Sequence, residues 1–389
     1  MPQSERPRMT VLAGPNGSGK STVTDALMDS PAFPAIYVNA DDIGKWLDKP
    51  SNDASLQLRT PAVTEEDRAA YKRDAPGMAT SLIERERARG VELTQAGAER
   101  RVNEGYAANL ADRARATAVQ GDRPFAFESV MSTPGKLALF DEARNKGFDV
   151  DLVFVTTASG EINKQRVQDR VAKGGHPVDV AKIGERYERA MDLLPLAVEK
   201  SKTAQIFDNS VHGKAPKLVA EKLPDGSMRY PQGDETPPWV NERLRVPLEQ
   251  REKSRAELAV AADQVKPGLS GLMVEADIGR GLSYKGLVAK TTDQHVMQFV
   301  PGQGGGPGAL VLHDRSVAPP GDYAALQRPE HRGTQVEIGY AFGVDGKLPP
   351  GTHVTAPAVA QAQVQAQPQP GQMPPPGQDP PAQGPRSKL

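Results

Sequence analysis

Gly14-Pro15-Asn16-Gly17-Ser18-Gly19-Lys20-Ser21-Thr22 follows directly on the apolar run from Met9 to Ala13. The string satisfies G-x-x-x-x-G-K-[ST], and a strand before it and a helix after it are the context that motif requires. Gly14, Gly17 and Gly19 let the backbone enter left-handed conformations and turn its N–H groups inward, so that loop and helix start form a nest for a triphosphate. Lys20 then sets a point charge on the β and γ phosphates, and the Ser21 hydroxyl is the expected Mg²⁺ ligand. The nucleotide-binding set read from this stretch is Gly14, Pro15, Asn16, Gly17, Ser18, Gly19, Lys20, Ser21 and Thr22.

Outward from the loop, apolar strand candidates alternate with helical segments through about residue 212. The strands expected are Met9 to Ala13, Ala35 to Val38, Pro124 to Phe127, Val150 to Thr156 and Ala204 to Phe207. Several are continuously apolar between polar turns, the signature of parallel strands covered on both faces. This predicts a doubly wound α/β fold with a five-stranded, mainly parallel sheet. Ser132 or Thr133 is the expected cap of a helix that Gly147 stops. The stretch from Asp53 to Gln120 is long, charged and poor in large apolar residues, and reads as a helical insertion lying over the sheet.

A phosphate loop alone does not separate a kinase from a motor or a switch, so the other strand ends must decide. The second strand ends Asn39-Ala40-Asp41-Asp42, which delivers a carboxylate to the carboxyl edge of the sheet, where a hydroxyl substrate would meet its base. Asp41 is the candidate base and Asp42 the candidate helix cap. Glu128, at the end of the third strand, reaches the same edge and is a candidate Mg²⁺ or substrate ligand. Beyond the fourth strand lie Arg166, Arg170, Lys173, Gly174, Gly175, His176, Arg186 and Arg189, a basic, glycine-cornered segment suited to close over a nucleotide as a lid. Arginines there would neutralise charge developing in phosphoryl transfer, and Arg170 and Arg186 are the candidates. Asp208-Asn209-Ser210 ends the fifth strand and reads as structural.

The rest of the chain is different in kind. At roughly 150 residues per domain, 389 residues predict two or three folding units. Lys214 to Pro237 reads as a linker with one strand-like piece, Ser227-Met228-Arg229-Tyr230, and about Pro238 to Val265 as an exposed charged helix spacing two domains. From Gly268 to about residue 350, short β-rich runs between Gly, Pro and Asp turns predict a small β-rich domain. From residue 351 the chain reads as a disordered tail, with nine Pro and eight Gln between Ala356 and Pro385. Lys and Arg number 48 against 49 Asp and Glu, a net charge of -1, which removes the electrostatic case for a dedicated polyanion binder. With no Cys, disulfides, thiolate zinc sites and cysteine nucleophiles are excluded. No apolar run approaches membrane-spanning length, so a cytoplasmic protein is expected, and the terminal Ser387-Lys388-Leu389 is taken as a coincidental match to a peroxisomal address.

In their order and spacing, the loop from Gly14 to Thr22, Asn39-Ala40-Asp41-Asp42, Phe125-Ala126-Phe127-Glu128-Ser129, the Arg-rich Gly174-Gly175-His176 segment and Phe207-Asp208-Asn209-Ser210 resemble the zeta toxin family of P-loop kinases. The resemblance covers about Met9 to Ser210. It implies an ATP- and Mg²⁺-dependent kinase of a bacterial toxin–antitoxin system that phosphorylates a hydroxyl of UDP-N-acetylglucosamine, with an antitoxin encoded separately. It also implies Lys20 on the triphosphate, Asp41 as catalytic base, Glu128 supporting substrate or metal, and Arg170 in the lid. Asp112 stands where the helix before the third strand would supply a substrate carboxylate. Val130 replaces a Thr that some members carry, and the second lid arginine falls near Gly174, leaving Arg186 or Arg189 to substitute. Residues of about 280–345 resemble the small KfrB-type domain of plasmid-encoded proteins, which implies a mobile-element context, and nucleic acid as a partner for this domain only. His295 and His313 there read as core or turn residues.

Three functions follow: a kinase acting on a nucleotide sugar, a kinase of the same fold acting on another hydroxyl (a nucleotide, an antibiotic, a polynucleotide end), or a nucleotide-switched accessory protein of plasmid maintenance or transfer.

Overall fold

The computed structural model describes residues 6–49, 58–172, 180–231, 236–278, 282–302, 308–317, 326, 333, 335–340 and 354–355. Five strands form the parallel part of the first sheet: β1 (Arg8–Ala13), β2 (Ile36–Val38), β3 (Phe125–Ser129), β4 (Asp149–Thr156) and β5 (Thr203–Asp208). Their order is β2-β3-β1-β4-β5, with β1 central, so the loop that leaves β1 emerges at the middle of the carboxyl edge. β4 is buried along almost its whole length, as its apolar run from Leu152 to Val155 predicts for a strand roofed on both faces, and the buried Asp151 within it pairs with Arg8 at 2.6 Å.

The sheet is larger than its parallel part. The segment expected as a linker supplies β6 (Lys217–Lys222), antiparallel to β5, and β7 (Met228–Arg229), antiparallel to β6, giving seven strands. Lys222 on β6 donates to the carbonyls of Val198, Glu199 and Ser201 at 2.8, 3.0 and 2.7 Å. These are carbonyls at the end of a long helix and its exit, where intrahelical donors run out; Val198 also accepts from the Ser201 N–H at 3.3 Å.

Helices α1 (Lys20–Met28) and α2 (Ala40–Asp48) follow β1 and β2. The insertion is two helices, α3 (Glu65–Ala88) and α4 (Gln95–Gln120). A capping box between Thr64 and Asp67 starts α3, and the Thr94 hydroxyl caps α4. The scarcity of large apolar residues is met by an alanine-rich face: Ala98, Ala107, Ala111, Ala114 and Ala118 are all buried along α4, where small side chains allow close approach. Arg68 of α3, 2% exposed, lies over the Trp46 ring of α2 at 3.8 Å. After β3 comes α5 (Gly135–Asn145), whose N-cap is Pro134 with no side-chain cap, so neither Ser132 nor Thr133 serves. Gly147, at φ 88, ends the turn that follows. Helices α6 (Gly160–Ala172) and α7 (Val180–Lys200) cover the other end of the sheet. Lys173, Gly174, Gly175 and His176 lie outside the described residues.

The helix expected to be exposed is so on one face, which carries Glu249, Glu252, Lys253 and Glu257, while Arg251, Ser254, Leu258 and Ala262 of the other face are buried. A short helical turn α8 (Pro238–Val240), a π-helical turn (Asn241–Arg245) and α9 (Val246–Val265) run without a break. Arg251 on α9 is 1% exposed and bridges Glu199 of α7, at 2.6 Å, to Asp314 in the second sheet. Arg255 joins Glu199 and Glu275 at 3.0 and 2.7 Å, and Lys200 joins Asp141 and Glu275 at 2.7 and 2.9 Å. α9 is a polar keystone between the two sheets, with Arg251 and Arg255 turned inward onto partners.

The second sheet contains β8 (Met273–Glu275), β9 (Ser283–Thr291), β10 (His295–Val300), β11 (Ala309–Asp314), β12 (Gln335–Gly339) and β13 (Val354–Thr355), in the order β13-β12-β9-β10-β11-β8. The β-rich region expected from residue 268 is therefore present, and it continues into the stretch expected to be disordered through β13. The tail from Ala356 onward, with Ser387-Lys388-Leu389, lies outside the described residues. Among the described residues no helix is long and apolar enough to cross a membrane.

Candidate phosphoryl-transfer site

The loop from Gly14 to Gly19 sits at the carboxyl end of β1, and two of its glycines are fixed by what surrounds them. A Cβ on Gly14 (φ 143) would lie 2.0 Å from the Val155 carbonyl oxygen, and one on Gly19 (φ 88) 2.1 Å from the Asn209 amide nitrogen. Gly19 is the N-cap of α1, so the first backbone N–H groups of that helix open toward the loop. The Lys20 ammonium folds back and donates to the Gly14 and Pro15 carbonyls at 2.9 and 3.1 Å, inside the space its own loop encloses.

Glu128 reaches this ammonium from β3, at 3.8 Å. Its other carboxylate oxygen accepts from the Tyr37 hydroxyl at 3.0 Å and the Asn39 amide at 3.2 Å. β2 and β3 pair in parallel with Tyr37 opposite Ala126, so Tyr37, Asn39 and Glu128 point to the same face of the sheet. Burial pushes the Glu128 carboxyl up, opposed by the Lys20 charge and the Tyr37 hydrogen bond. Burial likewise lowers the Lys20 ammonium, while Glu128 and Asp41 hold it up and Arg170 lowers it further. Burial and the Glu128 charge push the Tyr37 hydroxyl well up, so it stays a donor. Lys20, Glu128, Asp41 and Arg170 thus lie within one electrostatic neighbourhood.

Neither aspartate after β2 caps the helix. Asn39 does, its side-chain oxygen accepting from the Asp41 N–H at 2.9 Å, and Asp42 pairs with Lys45 at 3.0 Å. This leaves the Asp41 carboxylate exposed, with no hydrogen bond or ion pair among the described residues. Arg170, on the last turn of α6, is also exposed. Arg186 is half-buried on α7 and does not enter the interactions of Lys20 or Glu128, and Arg189 pairs with Glu185 at 3.5 Å. Arg166 donates to the Ser210 carbonyl at 3.4 Å. Asp112 is engaged by Arg115 and by Lys136, the latter at 3.0 Å; burial works against its ionisation, and those two cations hold its carboxyl below the usual range.

Magnesium is the ion this fold implies. Among the described residues no group of three or more His, Asp or Glu side chains makes a protein cage for a metal. The exposed Ser21 hydroxyl and the Glu128 oxygen facing Lys20 fit the sparse protein donation typical of Mg²⁺, which leaves the other ligands to phosphate and water.

Tyr37 escaped the sequence reading, and Asn39 and Asn209 stood in its motifs without the roles that follow. Tyr37 and Asn39 hold Glu128, and the strict alternation past the end of β2 was the available signal. Asn209 donates to the Ser18 carbonyl at 2.8 Å, so the segment after β5 braces the phosphate loop. Elsewhere, Ser254, His295 and Asp314 align, with Ser254 2.7 Å from His295 Nδ1, but Ser254 and His295 are buried and the half-buried Asp314 already pairs with Arg251. His313 is a core residue bonded to Tyr340 and Gln298. A cleft of about 170 Å³ lined by Ile36, Thr60, Ala118 and Arg123 opens at the amino end of β2, away from the phosphate loop.

A protein-family model described as an AAA domain (AAA_33) matches residues 9–189. No curated protein matches the chain in sequence. Among solved structures, the AvrRxo1-ORF1:AvrRxo1-ORF2 complex with sulphate ions is similar at 12% identity and TM-score 0.35, covering 61% of this chain and 63% of that one. The chain thus spans less than two thirds of that protein's length. The PezAT chromosomal toxin–antitoxin system of Streptococcus pneumoniae is similar at 13% identity and TM-score 0.33, over 62% and 80% of the two chains. A gluconokinase from Sinorhizobium meliloti 1021 is similar at 14% identity and TM-score 0.24, over 53% and 84%. The chain carries an α/β domain with a phosphate loop at the end of its central strand, matched over residues 9–189 by that family model, and a second, β-rich region follows it.

Proposed function

We propose that this protein is an ATP-dependent phosphotransferase that phosphorylates a hydroxyl of a small molecule. The observation that carries the reading is the exposed Asp41 carboxylate, unpartnered among the described residues, in the electrostatic neighbourhood of the Lys20–Glu128 pair at the phosphate loop. A switch needs no free carboxylate there, whereas a kinase needs one to receive the proton of the acceptor hydroxyl.

In this reading the Gly14–Thr22 loop cradles the triphosphate through its N–H groups. Lys20 exchanges the Gly14 and Pro15 carbonyls for phosphate oxygens, Arg170 and Arg186 approach from the lid side, and Asp41 takes the hydroxyl proton. Tyr37 and Asn39 keep Glu128 aimed at Lys20. Mg²⁺, held by Ser21 and assisted by Glu128, would neutralise phosphate charge. The acceptor we propose is UDP-N-acetylglucosamine, which would make the protein the toxin of a toxin–antitoxin pair, with a separately encoded antitoxin as partner. We also assign residues 1–213 to the kinase domain in the narrow sense, with the KfrB-like region of 268–350 tying the chain to a plasmid context.

The test incubates the full chain with labelled ATP, Mg²⁺ and a panel of nucleotide sugars, nucleosides and oligonucleotide ends, beside Lys20→Ala and Asp41→Ala, and follows transfer by mass spectrometry. Both substitutions are expected to lower turnover by about 100-fold or more, with ATP binding retained only in Asp41→Ala. Transfer to a different hydroxyl removes the nucleotide-sugar assignment and keeps the kinase. ATP binding with no transfer to any acceptor, or full activity in Asp41→Ala, overturns the kinase.

A further inference from the structure

We infer that Trp239, which lies beyond the segment matched by the family model, is a positioning residue for the phosphate loop and acts on it through Asp208 and Asn209. The inference rests on the reading of Gly14–Thr22 as a nucleotide site, and adds to it a brace from the part of the chain that follows the parallel sheet.

The geometry is a short relay. Trp239, 6% exposed, donates its indole N–H to one Asp208 oxygen at 2.5 Å, and the Ser210 backbone N–H donates to the other at 2.7 Å. A buried carboxylate needs such donors, and here two of them, from opposite sides, fix the turn that leaves β5. Within that turn the Asn209 N–H is used by the Thr156 carbonyl at 2.8 Å, which aims its side chain at the Ser18 carbonyl, also at 2.8 Å. The amide occupies the space a Cβ on Gly19 would need, so it packs directly on the loop's last turn. Ser210 closes the turn on its far side, its hydroxyl accepting from the Ala158 N–H at 2.8 Å.

Trp239 is itself held. Pro237 and Pro238 set the chain's entry into α8, and the π-helical turn that follows carries Arg243 onto Glu188 and Asp192 of α7, at 2.5 and 3.3 Å. π-turns interrupt helices where a side chain must be re-aimed, often at functional sites. One short element therefore grips both the phosphate loop, through Asp208, and the helix that carries Arg186.

The test uses the full chain. Trp239→Phe keeps the ring and removes the donor; binding of a non-hydrolysable ATP analogue with Mg²⁺ is measured by titration calorimetry, with circular dichroism to confirm folding. About tenfold weaker binding is expected, the loss of a hydrogen bond to a charged acceptor relayed to the loop. Asn209→Ala should weaken binding similarly, and the double variant should be no weaker than the weaker single, because both cut the same relay. A second readout uses intact packing: the chain has two tryptophans, so Trp46→Phe leaves Trp239 as sole reporter, and its emission should change when the analogue binds. Wild-type affinity in Trp239→Phe, multiplicative losses in the double variant, or unchanged Trp239 emission overturns the inference. Failure of the wild-type chain itself to bind the analogue sinks the nucleotide-site reading instead.

Discussion

Glu128 is a carboxylate that its surroundings would rather keep neutral. Burial raises it, and the Lys20 charge and the Tyr37 hydroxyl act in the other direction. Removing the hydroxyl removes a donor that favours the ionised form, so Tyr37→Phe pushes the Glu128 carboxyl further up. If the ionised form is what aims Lys20 and assists the metal, the acid limb of the kcat/KM profile moves to higher pH. The expected outcome is a loss of about tenfold at the acid end of the profile with a much smaller loss at the alkaline end. A uniform loss across pH would assign Tyr37 to packing alone. This residue was hidden in the sequence because a Tyr inside a three-residue strand reads as core. Lys20 and Asp41 were legible because their spacing from strand ends carries chemistry directly.

At the level of elements, the sequence revealed what is buried on both faces and missed what is buried on one. Several of the five parallel strands carry continuous apolar runs, β5 is instead buried at alternate positions, and each of the five lies within two residues of its expected bounds. β6 (Lys217–Lys222) has Val219 and Ala220 as its buried positions between charged ends, and an antiparallel strand near a sheet edge needs no more than that. It therefore reads as linker. Its Lys222 neutralises the end of α7. Burial lowers the ammonium, Glu199 holds it up, and three carbonyls at the helix end accept its N–H groups. Lys222→Met keeps the aliphatic stem and removes its three hydrogen bonds to those carbonyls. We expect a loss of about 2 kcal/mol, seen as a fall of about 5 °C in Tm. Lys222→Arg should recover part of it. A Met variant as stable as the wild type would show the carbonyls to be satisfied by solvent.

Across the whole molecule, the two sheets are joined by charge, which is why periodicity could not find the joint. α9 reads as a solvated helix because Arg251 and Arg255 count as surface residues in any hydrophobic pattern, yet both are turned onto Glu199, Glu275 and Asp314. Against this joint, His295 faces Asp314 on β11, Arg251 and Arg255 on α9 and Glu199 on α7, and burial carries it down to about 4 from an ordinary 6.5. His313, deeper in the second sheet, is lowered to about 3 by burial. The sign follows from proton counting. Below 6.5 the unfolded chain binds protons at both histidines and the folded chain does not, so stability is full above 6.5 and is lost as pH falls toward 4 and then 3. For His295 the loss amounts to about 3 kcal/mol once the folded value is reached. Glu275 reinforces it at lower pH: burial works against its ionised form, but Lys200 and Arg255 hold it far below its ordinary 4.5, so its contribution fades as pH drops beneath that value. Thermal midpoints measured from pH 7 to pH 4 should therefore fall steadily, and His295→Gln should flatten the slope by the equivalent of one proton between 6.5 and 4. An unchanged slope in that variant would mean that His295 exchanges its proton with solvent in the folded chain, and that the joint between the sheets opens well before the molecule unfolds.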